Sequence, residues 1–201
     1  LLSTGLSNLS EIKETVNFII KTNPIYKKKN MIAIMQCTSM YPTEDADVNL
    51  LVIDQFKKSF NYEIGYSHHS FGDLPLVIAY IKGANVLEFH FTDTRKGKVF
   101  RDHLISLTRD EVKNLSSKFK RVKKLLGRGE KNTLSNEKKS GHIKSFRRAI
   151  YFNKDIKKGH IISKADLVCL RPNEGLDARK INKILGKKSP KNFVALEKIK
   201  L

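Results

Sequence analysis

Apolar residues recur along the first 126 positions in two alternating rhythms. Leu9, Ile12, Val16 and Ile19-Ile20 fall at helical spacing behind Asn8 and Glu11, an acceptor at the cap and a carboxylate three residues on. Asn23-Pro24 ends that helix. Met31 to Cys37 then reads as one apolar run, the pattern of a strand buried on both faces. Pro42 and Thr43 mark a loop. Val48, Leu51, Val52 and Phe56 predict a second helix, and Tyr62 to Tyr66 a short strand. Leu76 to Ile81 predicts a helix ending near Gly83, and Asn85 to Phe91 the next strand. Thr108 and Glu111 form a capping box ahead of Val112, Leu115, Phe119, Val122 and Leu125-Leu126. The opening Leu1-Leu2-Ser3-Thr4-Gly5 reads as the tail of a strand running into a turn. The pattern amounts to about four βα units, and crossovers of that kind imply a parallel sheet. Such a set is half of an eightfold (β/α) barrel, so the chain is expected to begin in mid-fold, with the first half of the barrel missing.

Residues 127–146 are polar and carry Gly127, Gly129, Asn132, Ser135, Asn136 and Gly141, which predicts a linker or long loop. Behind it, residues 147–201 have another texture. Arg148 to Phe152 predicts a strand, Asp155 to Ile162 a turn and a second strand, Val168 to Pro172 a third and Phe193 to Leu196 a weak fourth. A short helix is expected near Ala178 to Leu185. The fold class is therefore α/β: a partial (β/α)8 barrel over 1–126, then a small, mostly-β domain.

Composition narrows the function classes. Hydrophobic residues make up 40% of the 201 positions, which suits a globular chain. No apolar run approaches the roughly 20 residues that span a bilayer, and no secretory pattern stands at the front. The only cysteines, Cys37 and Cys169, lie far apart and outside any metal-ligand spacing. They read as reduced thiols packed as small hydrophobes, so a cytoplasmic location is expected. The net charge of +19, from 39 basic and 20 acidic residues, raises nucleic-acid binding as a third reading. The excess is mostly lysine and is spread over the whole chain, without a helix-turn-helix, zinc-finger or aromatic-interleaved pattern. A lysine-rich solvated surface is the plainer account, with no specific nucleic acid and no membrane as partner. Such a field also attracts anionic substrates.

The candidate chemistry sits at strand ends. His69 closes Gly65-Tyr66-Ser67-His68-His69-Ser70, and His90 lies in Glu88-Phe89-His90-Phe91, twenty-one residues later. That separation is about one βα repeat. Parallel neighbouring strands would bring both imidazoles out at the same edge of the sheet, where α/β enzymes build their sites.

Taken in order along the chain, these segments resemble the N-acetylneuraminate (sialic acid) synthase family, with its legionaminate, pseudaminate and spore-coat relatives. The matching residues are Leu2-Ser3-Thr4-Gly5, Cys37 to Thr43, Gly65 to Ser70, Glu88 to Thr92, Asp102-His103, Arg147-Arg148, Asp155 to Gly159 and Leu170-Arg171-Pro172. The resemblance implies a (β/α)8 barrel followed by an antifreeze-like (SAF) domain, in a domain-swapped homodimer. It implies condensation of phosphoenolpyruvate with N-acetylmannosamine or a related acylamino sugar, giving a nine-carbon 2-keto acid and phosphate. A divalent metal, Mn or Mg, is expected to activate the aldehyde. Carried over by motif, the metal ligands fall on His69 and His90. Phosphoenolpyruvate contacts fall on Ser3, Ser39 and Ser67, with Ser39 standing where many members have Asn. Asp102 is the sugar-binding aspartate, Tyr41 the tyrosine before proline, and Arg171 the SAF-domain arginine that holds the acyl group in the partner's barrel. His68 stands where many members have Asp, and His68, His103, His142 and His160 receive no role. With the phosphate-gripping half of the barrel missing, the isolated chain is expected to lack synthase activity. The alternative is a non-catalytic remnant half-barrel with an SAF domain, serving as a binding or assembly module.

Overall fold

The four parallel strands expected from the apolar runs are present and adjacent. The computed structural model describes residues 1–28 and 30–200. They divide into two units, Leu1–Gly129 and Glu130–Leu201. In the first unit, β1 (Leu2–Ser3), β2 (Ala33–Cys37), β3 (Glu63–His68) and β4 (Val86–Phe89) form one sheet in that order, parallel throughout. A further parallel bridge joins Phe91 to Leu107 beyond β4. Between the strands run α1 (Leu9–Thr22), α2 (Ile25–Lys28), α3 (Val52–Ser59) and α4 (Leu74–Ile81), followed by α5 (Arg101–Ile105) and α6 (Arg109–Leu126). This is the strand–helix alternation of a partial (β/α) barrel.

Both helix starts that the sequence marked are built as expected. Asn8 Oδ1 accepts from the Ser10 and Glu11 amides, and Glu11 Oε2 accepts from the Asn8 amide at 2.7 Å. At α6, Glu111 Oε2 accepts from the Thr108 amide at 2.7 Å. Each box satisfies amides that the first helical turn leaves unpaired, worth about 1 kcal/mol at a cap. Arg95 also donates to Glu111 at 2.6 Å, and with the Thr108 contacts it holds that carboxyl at a pKa of about 2.

The pleat sorts side chains onto two faces. Ile34, Ile64 and Tyr66 point into the layer made by Ile12 and Val16 of α1, Ile53 and Phe56 of α3, Leu76 and Ala79 of α4, and Leu115 of α6. Burying each such side chain contributes roughly 1.5–3 kcal/mol. Residues of the other parity face the opposite way, and the register lines them up across strands: Met35 with Gly65 and Val86, Cys37 with Ser67 and Glu88. Gly65 is required there, because a Cβ on it would lie 2.2 Å from the Met35 sulfur and 2.7 Å from the Val86 carbonyl oxygen.

The second unit is less regular than its apolar pattern suggested. Two short helices, α7 (Ser135–Lys139) and α8 (His142–Phe146), occupy the stretch read as a linker or long loop. Neither carries the apolar stripe that would have revealed it. The sheet has two antiparallel strands, β5 (Ala149–Phe152) and β6 (Leu167–Leu170). The expected second and fourth strands are single bridges instead, Ile156 to Phe193 and Ile161 to Lys188. The expected helix is a 3-10 segment, Ala178–Lys183. Ile150, Phe152, Ile156, Ile162, Leu176, Ile184, Phe193 and Ile199 make its core. Cys37 is buried as expected, but Cys169 is only half-buried.

Candidate active site

The two histidines converge. Their rings lie 5.4 Å apart, centroid to centroid, just past the carboxyl ends of β3 and β4. Parity explains this: Ser67 and His69 share one face of β3, Glu88 and His90 the same face of β4, and the two strands are direct neighbours. Tyr41 closes one side, its ring 4.2 Å from that of His69 and 5.9 Å from that of His90. The Arg101 guanidinium sits over the outer face of Tyr41, 4.8 Å from its centroid, in a cation–π contact. Burial, and then the proximity of Cys37 and Asp102, raise the Tyr41 pKa, so the phenol stays neutral.

His69 is fixed by its neighbours at the end of β2 and just beyond it. Its Nδ1–H donates to the Thr38 carbonyl at 2.9 Å, and the Cys37 sulfur lies 3.7 Å from the same nitrogen. That assignment leaves the Nε2 lone pair free. Its backbone carbonyl accepts from the Thr43 amide at 2.8 Å. Burial is the main cause that raises the Cys37 thiol pKa, with the Ser67 hydroxyl hydrogen-bonded beside it.

Asp102, on α5, approaches from the far side. Its Oδ2 lies 3.7 Å from His90 Nδ1, beyond hydrogen-bond length, and its Oδ1 is buried with no hydrogen-bond partner. The nearest cation to that oxygen is Arg101, with Nε at 3.7 Å. A buried carboxylate oxygen without a donor is costly unless a ligand completes it.

The hydroxyls follow the same rim. Ser67 is buried, in register between Cys37 and Glu88, and Ser3 ends β1 in register with Met35. Ser39 lies against Gly5, where a Cβ would fall 2.0 Å from its Oγ; the glycine lets the β1 turn close on the loop after β2. Arg171 belongs to the second unit, where its guanidinium stands 5.5 Å from the Phe146 ring centroid. One chemistry-bearing group went unread in the sequence. His68 is fully buried, and burial depresses its pKa to about 4. Two signals mark it: it shares Tyr66's parity, and it sits where many members of the resembled family have Asp.

Two imidazoles, that of His69 with its Nε2 free, and an unsatisfied carboxylate oxygen nearby suit a divalent cation that takes both nitrogen and oxygen. Among the described residues, no group of three or more His, Cys, Asp and Glu side chains could hold a metal unaided. A cation held by the two imidazoles would therefore need further oxygen ligands from outside these side chains.

The family model described as the NeuB family matches residues 1–131, and one described as the SAF domain matches residues 147–200. The chain is 36% identical over 193 residues to N,N'-diacetyllegionaminic acid synthase of Campylobacter jejuni, covering 96% of this chain and 56% of that protein. It is 35% identical over 195 residues to a pseudaminic acid synthase of Campylobacter jejuni, covering 96% and 54%. In fold it is similar to a spore coat polysaccharide biosynthesis protein E from Chromobacterium violaceum. That match has a TM-score of 0.68 at 23% identity and covers 98% of this chain and 58% of that one. The chain spans about half the length of the curated relatives it matches.

Proposed function

The chain belongs to the NeuB family, with a SAF domain at residues 147–200, and on that premise we propose that it serves a sialic-acid-type condensation. The substrates are phosphoenolpyruvate and N-acetylmannosamine or a related acylamino sugar. The enol carbon C3 forms a bond to the open-chain aldehyde carbon, water adds its oxygen at C2, and the C2–O bond to phosphate breaks. The products are a nine-carbon 2-keto acid and inorganic phosphate. Relatives named as legionaminic and pseudaminic acid synthases support this reaction class.

The observation that carries the reading is the pair of imidazoles 5.4 Å apart at one rim of a parallel sheet. His69 and His90 hold a divalent ion, Mn or Mg. When bound, that ion supplies Lewis-acid polarisation of the aldehyde oxygen. Asp102 accepts a hydrogen bond from a sugar hydroxyl, which satisfies its orphan Oδ1. Tyr41, kept as a neutral phenol, forms the wall against which the sugar lies and offers a proton donor. Ser3, Ser39 and Ser67 donate to the phosphate and carboxylate oxygens of phosphoenolpyruvate. Arg171 is assigned to the acyl group of the sugar, in the barrel of a partner copy within a swapped homodimer.

The test begins with Mn²⁺ titrated into the protein and followed by electron paramagnetic resonance. One site is expected, lost in His69→Ala and in His90→Ala. Phosphate release from phosphoenolpyruvate, dependent on the acylamino sugar, is then measured on the gene product that carries this chain. Absence of Mn²⁺ binding, or binding indifferent to both substitutions, overturns the metal assignment. Phosphate release that does not depend on the sugar overturns the condensation.

A further inference from the structure

His68 points away from the rim that carries His69, yet its ring hydrogen-bonds the Gly72 carbonyl at the end of the turn that presents its neighbour. The ring is fully buried. Nε2–H donates to the Gly72 carbonyl at 2.8 Å. Nδ1 must then accept, and it does so from the Tyr66 hydroxyl at 3.2 Å, with Ser70 Oγ at 3.5 Å. Tyr66 and Ser70 are buried too, so the trio is shut off from water. The turn it spans, residues 69–72, ends at Gly72 with φ +74°, a conformation that glycine adopts without strain.

We propose that His68 is a positioning residue, tying the Gly72 carbonyl to the outer face of β3 so that the 69–72 turn holds the His69 ring with Nδ1 on Thr38 and Nε2 free to bind a cation. The inference rests on the metal reading above and deepens it. Three tethers hold the turn. Thr43 N–H holds the His69 carbonyl, the Thr38 carbonyl holds His69 Nδ1, and His68 holds Gly72. The first two come from the chain following β2; His68 alone anchors the far end to β3 itself. Two adjacent histidines therefore have opposite assignments, Nε2–H in His68 and Nδ1–H in His69. Loss of the far tether frees the turn to rotate and mixes the tautomers of His69. Outer hydrogen-bond partners of metal-binding histidines typically change affinity by 10–100-fold when removed, so an effect of about 10-fold is expected.

The full chain is compared with His68→Phe, which keeps a buried ring and removes both polar atoms, and with His68→Gln, whose amide can still donate to Gly72. Two readouts are taken after thermal unfolding has confirmed a folded protein. Imidazole nitrogen NMR, recorded without metal, reads the His69 tautomer. Electron paramagnetic resonance reads the Mn²⁺ dissociation constant. His68→Phe is expected to lose the single Nδ1–H form of His69 and to bind Mn²⁺ about 10-fold more weakly, with His68→Gln within about 3-fold of the parent. Unchanged tautomer and unchanged affinity in His68→Phe overturn the proposal. Should His68→Phe not fold, Tyr66→Phe decides on the same two readouts, with a mixed His69 tautomer supporting the proposal and a single Nδ1–H form overturning it. If the parent binds no Mn²⁺, the metal assignment falls, and the tautomer comparison still decides whether His68 positions His69.

Discussion

Asp102 in the first unit and Asp166 in the second show two ways to keep a carboxylate out of water. The Asp166 side chain is 2% exposed and takes four donors: Lys154 Nζ at 2.7 Å, His160 Nε2 at 2.9 Å, and the Ser163 amide and hydroxyl at 2.8 Å each. Those contacts, the lysine foremost, hold its pKa well below the usual carboxylate range. Asp102 is more open overall, at 31%, yet its Oδ1 is buried and accepts from nothing. The carboxylate of the second unit is complete without a ligand, and that of the first is not. Local structure satisfies the one that stabilises; under the proposed function a sugar hydroxyl satisfies the other.

Four experiments would sharpen or break that contrast. The largest effect is expected for Asp102→Asn: phosphate release by the gene product carrying this chain should fall about 100-fold, with the unfolding midpoint nearly unchanged. A large loss of stability instead would mean that Asp102 is structural. Next, Asp166→Asn should cost the second unit roughly 2–3 kcal/mol, the scale of hydrogen bonds to a buried charge, read by urea unfolding. Mn²⁺ binding at His69 and His90 should not change.

The third experiment is acid titration of stability. Because Asp166 is depressed in the folded state, its stabilisation is complete above the ordinary aspartate pKa and drains away as pH falls toward the folded value. The wild-type urea midpoint should therefore drop between about pH 5 and pH 2, within the range over which such carboxylates lose their contribution. Asp166→Asn should fall less steeply over that window, with other depressed carboxylates, Glu174, Asp177 and Glu111 among them, supplying the remaining slope. Equal slopes would show that Asp166 is not the group responsible. The smallest effect is Lys154→Met. That side chain is 58% exposed, so solvent screening should limit the loss to under about 1 kcal/mol.

Much of the first unit was legible in the sequence, because each signal there is local and repeated. The Asn8–Glu11 and Thr108–Glu111 boxes are three-residue patterns, and both formed. The spacing of His69 and His90 needed only adjacency of β3 and β4 to bring the rings together, and the sheet order provides it. The approach of Asp102 to His90 was not readable from spacing, since α5 hangs on a loop whose path no periodicity encodes; only the resemblance suggested it. The second unit was less legible for the same reason. Its chain runs past itself through single bridges, and an apolar pair such as Ile161-Ile162 looks like strand when it is one rung long. Helices α7 and α8 bury no side chain, so no hydrophobic rhythm announced them. His68 was passed over because a histidine doublet reads as redundancy until parity assigns its members to opposite faces.

That doublet also constrains how this strand can change over evolutionary time. Inserting one residue upstream within β3 would turn its faces over. The replacement arriving at the rim would still be an imidazole, so coordination chemistry alone would not flag the lesion. Tyr66 would come inward with it, placing a phenol where the Ser67 hydroxyl had stood, while His69 turned toward the helices. Length in this segment is therefore held more tightly than composition, and indels should be rarer here than substitutions.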